Sequence, residues 1–202
     1  MAIDDRRDET VSLYVEHGLT RRLTLQAKLA TTRGEDRFVR YEGRGPAELG
    51  LRYAVLKGRR SAVSLYVGAI EGGVGRNAGY AVPGAGGVDL EARILAGRSG
   101  RWRGRDLFGE VQVAHLSRDG LADEVRLDTT LGLRPARGWL ILAQTYCGEA
   151  RSRPEVSRWV KGEISLVRAW GPWALQAGWR EALAGREAPA DQGPVLAIWR
   201  AF

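Results

Sequence analysis

Ionisable side chains recur at every second position in many stretches of this 202-residue chain. Glu16, Lys28, Glu48, Arg52, Asp89, Glu91, Arg93, Glu110, Glu124, Arg126, Asp128, Lys161, Glu163 and Arg180 stand on one side of alternating segments. In an extended chain, residues two apart share a face. Such a face carries both signs. It suits two uses: the lining of a passage that selects solutes by charge, or a salt-bridged network filling a narrow interior. Pairing opposite charges there avoids a desolvation cost of several kcal/mol per ion.

A second candidate is His115-Leu116-Ser117, with Asp119 and Glu124 near in sequence. On a strand, His115 and Ser117 point the same way. A histidine base can activate a serine hydroxyl for nucleophilic attack. The glycine-rich stretch 71–87 precedes extended sequence rather than a helix, so it reads as an external loop, not a phosphate-binding turn. Asp123-Glu124 has no helical or cleft context for glycosidase chemistry. Cys147 is the single cysteine, and His17 and His115 are far apart. No disulfide framework, metal site or cofactor is expected.

The elements that must hold these side chains are strands. Period-2 alternation runs through the chain with no long helical period competing. It predicts eleven strands over about 10–20, 22–32, 47–57, 61–71, 87–98, 106–117, 123–134, 138–147, 159–169, 172–182 and 193–202. Each is ~10 residues, the length of a tilted membrane-crossing strand. Val11, Leu13 and Val15 alternate with Ser12, Tyr14 and Glu16; Val88, Leu90, Ala92 and Ile94 alternate with Asp89, Glu91 and Arg93. Medium aliphatics take one face and small or charged residues the other.

The connections alternate short and long. Short ones fall at 20–22, 57–60, 135–138 and 170–172, with 97–105 in the same series; long ones fall at 33–46, 71–87, 118–122, 148–158 and 183–192. Short periplasmic turns and longer external loops are the habit of outer-membrane barrels. The expected fold is therefore all-β: one antiparallel up-and-down transmembrane barrel over 1–202. Residues 1–9 read as a short segment left from a truncated first hairpin. Counting back from the last strand, the one at 10–20 descends. An ascending strand before residue 10 would bring eleven to twelve.

Composition agrees. Hydrophobic residues make up 44%, and no apolar run approaches the ~18–20 residues of a spanning helix. Net charge is +7. The arginines sit in turns and alternate with acids along strands instead of forming one block, which argues against nucleic acid as a partner. The N-terminus has no apolar signal region as given. Trp139, Trp170, Trp173 and Trp199 lie beside short turns or near Phe202, where an interfacial aromatic belt belongs.

The segment Leu13-Tyr-Val-Glu-His-Gly-Leu-Thr-Arg-Arg-Leu-Thr-Leu25 resembles a hairpin common in proteobacterial outer-membrane barrel families of poorly known function, some of them transporter-like. His17 stands where an aromatic is commoner. The ending Gly193-Pro-Val-Leu-Ala-Ile-Trp-Arg-Ala-Phe202 resembles the closing strand of such barrels, whose final Phe is read by the barrel-assembly machinery; Arg200 departs from the usual apolar residue. The resemblance implies outer-membrane location, lipid and the assembly machinery as partners, and a porin-like or transporter-like channel or a structural barrel. Some outer-membrane lipid hydrolases place a His-x-Ser pair near the outer rim, which makes His115 and Ser117 the alternative. A soluble lipocalin-like barrel is the third reading. It would turn the apolar face inward and normally uses ~8 strands.

Overall fold

Alternation settles into one meander in the computed structural model, which describes residues 7–35, 40–74, 87–152, 155–186 and 190–202. Eleven strands follow in chain order: β1 Arg7–Gly18, β2 Leu23–Glu35, β3 Arg40–Lys57, β4 Ser61–Glu71, β5 Val88–Trp102, β6 Arg105–Ser117, β7 Glu124–Arg134, β8 Trp139–Ser152, β9 Glu155–Trp170, β10 Trp173–Arg186 and β11 Gln192–Arg200. Each pairs antiparallel with its chain neighbours in one curled sheet ordered β1 through β11. No described residue is helical.

The outward face is apolar and uncovered. Val11, Leu29, Val67, Leu90, Leu131, Ile164, Leu196 and Ile198 are all more than half exposed. An uncovered apolar face running across a whole sheet exceeds the few hundred Å² that soluble monomers tolerate. The inward face is the reverse: Gln26, Asp89, Glu91, Glu124, Glu163, Ser165 and Gln176 are buried. This inversion rules against the lipocalin-like reading, which needs apolar residues inside and charges in water.

Several strands run past the predicted limits at one end. β3 begins at Arg40 rather than 47, β8 continues to Ser152, β9 begins at Glu155 and β10 ends at Arg186. The expected long connections at 33–46 and 148–158 are thus largely ladder, with Arg33 opposite Glu42 and Glu149 opposite Arg158. These extensions mix charged residues and glycine with scattered apolar ones, so they carry no sustained hydrophobic period. Residues 7–9 belong to β1 and pair with Arg33–Glu35, not with a separate N-terminal segment. The connection expected over 97–105 tightens to Arg103-Gly104, both at positive φ. Most of the glycine-rich stretch, 75–86, lies outside the described residues.

β1 and β11 form the two edges, and neither gains a further strand among the described residues. Backbone groups along an edge would be unsatisfied in hydrocarbon, at several kcal/mol each. In a bilayer these edges need a partner.

Two glycines on the inner wall make room for one buried ring. Tyr66 lies flat across Gly50 of β3 and Gly68 of β4, and a Cβ on either would collide with its ring. The phenol is 1% exposed and donates to Glu48 Oε1 at 2.6 Å. Gly68→Val is expected to destabilise the sheet by ~1–3 kcal/mol through overpacking. Adding Tyr66→Ala should relieve part of that loss. Urea unfolding in phospholipid vesicles reads both; equal stability of Gly68→Val and wild type would refute the packing.

Candidate functional site, the charged inner wall

Strand parity brings the inward ionisable groups together in four clusters. In the first, β1 to β3 surround Glu16. Its carboxylate accepts from the Tyr14 hydroxyl at 2.6 Å, the Gln26 amide at 2.8 Å and Arg52 at 3.0 and 3.2 Å. Lys28 stands between Tyr14 and Glu48 in register, with no ion pair among the described residues.

The second cluster spans β3 to β5. Glu48 accepts from Tyr66 and, at 3.2 Å, from Arg93, whose Nε also donates to Glu91 at 2.5 Å. The Arg93 guanidinium lies 4.4 Å from the centre of the Tyr66 ring. Gly68, directly between Arg93's strand and Glu48's, leaves room for that reach.

The third cluster is the most buried. The Glu124 side chain is 0% exposed and is held at 2.5 Å by both Arg118 and Arg126. Arg118, itself 4% exposed, spans to Asp89 at 2.9 Å. The connection after β6 is fixed around it: the Arg118 amide donates to Asp123 and the Asp119 amide to Asp89. Arg118 was invisible to alternation because it lies beyond the last strand residue. Its only sequence signal is an arginine directly after a strand whose neighbours carry inward acids.

The fourth cluster joins β8 to β10. Glu163 accepts two bonds from Arg180 at 2.7 and 2.9 Å, one from Ser165 at 2.7 Å and one from Gln176 at 3.1 Å. Arg180 stacks on Tyr146. Glu110 accepts from Gln112 at 2.6 Å, Lys161 pairs with Asp191 at 2.6 Å, and Asp128 faces inward between Gln112 and Tyr146. These bonds link a strand to itself, to its neighbour, to the next strand but one or to an adjoining turn. They run along the wall. A recess of about 450 Å³ on the inner face is lined by Phe108, Arg134, Tyr146, Glu163, Arg180 and Trp199 among others.

The remaining candidates separate by face. Trp139, Trp170 and Trp173 are outward and partly exposed, whereas Trp199 pairs with buried Ala174 and looks into that recess. Phe202 is exposed beyond β11. His115 and Ser117 lie on the outward face of β6, with His115 between Ala92 and Val125. Neither acid expected beside them pairs with the histidine among the described residues: the Asp119 carboxylate lies against Gly87, and Glu124 points inward. Asp123 instead approaches His115 Nε2 at 3.9 Å. No hydrogen bond joins Ser117 to His115 among the described residues.

Two solved structures share this architecture. A NanC porin superposes with a TM-score of 0.63 at 9% identity, covering 100% of both chains. LpxR from Salmonella typhimurium gives 0.60 at 11% identity, covering 96% of this chain and 88% of its own. The fold is that of an outer-membrane β-barrel. No protein-family model and no curated sequence matches the chain. At such low identity the likeness concerns the fold alone.

The third cluster predicts a measurable cost. Glu124→Leu should destabilise by about 3–5 kcal/mol, because it leaves buried guanidiniums without their shared carboxylate. Arg126→Leu should cost less, since Arg118 still holds Glu124. Unfolding titrations in vesicles rank the two; the reverse order would contradict the geometry.

Above the apolar band the pairs are exposed. Arg151 and Arg158 hold the Glu149 carboxyl below its ordinary value of 4.5. A lowered folded-state value stabilises the β8–β9 end above that ordinary value and loses the effect as pH falls through the lowered one. The protection factors of amides at this end, taken relative to intrinsic exchange at each pH, should therefore be constant from pH 7 to about 5.5 and fall in acid. Glu149→Gln should abolish the acid-induced fall.

Proposed function

We propose that this protein is an outer-membrane channel that passes small polar solutes along a wall of paired charges. The observation that carries this reading is the direction of the ion pairs. A plug would need bonds across the interior; the bonds of Glu16, Glu48, Glu124 and Glu163 instead tie strands no more than two apart in the sheet and their turns. Arg180 and Arg126 keep 44% and 36% of their side chains exposed while their carboxylate partners are buried. A passing solute therefore meets guanidinium edges, which act as weak, repeated sites for anions and hydroxyls. Outer-membrane location is part of the same reading and is supported by the likeness in fold to a porin.

Planar-bilayer recording tests it. Wild type should conduct in discrete steps. Removing a wall cation by Arg180→Gln should shift selectivity toward cations, since Glu163 loses its counter-charge. A purified, folded protein that gives no steps would make the barrel structural.

One observation favours a second reading, a hydrolase acting on membrane lipid: His115 near Asp123 on the outward face, with Ser117 two residues along the same strand. It requires release of fatty acid from phospholipid or lipid A by wild type and none by Ser117→Ala.

A further inference from the structure

The inner wall does not hold the chain's excess positive charge; the short-turn rim does. Segments 19–22, 57–60, 98–106, 134–138, 168–173 and 200–202 contain thirteen lysines and arginines against one acid, Asp106. That excess is larger than the +7 of the whole chain, so the rest of the molecule is net acidic. The two ends also differ in how their arginines are used. At the long-connection end Arg7, Arg33, Arg44, Arg151 and Arg158 each pair with a glutamate. At the short-turn end only Arg101 reaches a carboxylate among the described residues, at 3.5 Å from Asp106.

The rim's cations lie against tryptophan. Arg103 stacks on Trp102 at 4.9 Å, Arg168 on Trp139 at 4.9 Å and Arg200 on Trp173 at 5.0 Å. Trp102, Trp139 and Trp173 face outward and are 53%, 37% and 40% exposed. Indoles settle at headgroup depth. Guanidiniums held over them stand where lipid phosphates lie, with donors in a fork that suits phosphate oxygens. The two-residue turn between β5 and β6 repeats the choice: Arg103 occupies a left-handed position, φ 49°, usually given to Asn, Asp or Gly.

We propose that this rim is a binding surface for anionic glycerophospholipid in the leaflet at the short turns, the periplasmic side of an outer-membrane barrel. Charge complementarity selects the headgroup. The outward stacking selects lipid over a solute entering the lumen. The inference depends on insertion in a bilayer and stands whether or not the barrel conducts.

The test is tryptophan quenching in vesicles of phosphatidylcholine containing either brominated phosphatidylglycerol or brominated phosphatidylcholine. Five of the seven tryptophans lie in or near the rim segments: Trp102, Trp139, Trp170, Trp173 and Trp199. Wild type should prefer phosphatidylglycerol by at least about fivefold at low salt, and 0.5 M NaCl should reduce that preference. A variant with Arg59→Gln, Arg60→Gln, Arg103→Gln and Arg105→Gln should lose most of it. A control with Arg33→Gln, Arg44→Gln and Arg158→Gln at the opposite end should keep it. Heat-modifiable migration verifies folding of each, and the salt titration of wild type stands alone if a variant fails to fold. Equal quenching by the two lipids in wild type overturns the proposal. So does equal loss in both variants, which would report net charge rather than the rim.

Discussion

The structure rests on one constraint: every strand gives one face to an apolar environment, and the charges that the other faces carry must be satisfied within the wall. Glu124 shows how strictly this holds. Its carboxylate has no solvent contact, yet two guanidiniums are in bonding range and one of them is shared with Asp89. Charges in such a place are tolerable only when paired and fully hydrogen-bonded. The strand register follows, because a slip of one residue would turn the whole charged row outward. The glycines beneath Tyr66 and between Arg93 and Glu48 follow too, since each pair needs a bare patch of wall to lie along.

Much of this was legible in the sequence because the constraint writes itself as period two. Asp89, Glu91 and Arg93 against Val88, Leu90, Ala92 and Ile94 leave one solution for β5. The polar inner faces of β1, β2, β3, β5 and β7 were read from such runs, whereas β8 was ambiguous because 139–142 is apolar on both faces, and its inner Leu140 and Leu142 pack in an apolar cluster with Val167 and Ala174. Where both faces are alike, the signal vanishes. In β11, Val195, Leu196, Ala197, Ile198 and Trp199 are apolar on both sides, and only the pairing of Trp199 with Ala174 places the indole inward. In β3, residues 40–46 are polar or glycine-rich on both sides, so a stretch of strand, five residues of it in ladder with β2, looked like loop. Arg118 lies past the end of β6, where no period can point to it. The partner of His115 was missed for a related reason: proximity in sequence favoured Asp119 and Glu124, but a turn between β6 and β7 decides which carboxylate comes back to the histidine.

The two ends of the barrel carry different physics. At one end, strands run past the apolar band as paired, self-neutralised ladder. At the other, short turns set Arg103, Arg168 and Arg200, which have no carboxylate partner among the described residues, against outward tryptophans. Composition alone averages these into a mild net charge. Once the topology assigns each turn to an end, the asymmetry becomes a property of the surface. The channel reading depends on the inner wall, the lipid reading on the rim, and both depend on the same inversion of faces.

That inversion is tested most directly at adjacent residues of β7. In a Cys147→Ser background, single cysteines at Leu127 and Asp128 would be placed in bilayer-reconstituted protein. The account predicts that a charged, membrane-impermeant thiol reagent modifies Asp128→Cys and leaves Leu127→Cys untouched. A spin label at Leu127→Cys should report lipid contact. The opposite pattern, with position 127 reactive in water and position 128 shielded in an apolar interior, would contradict it and turn the barrel inside out.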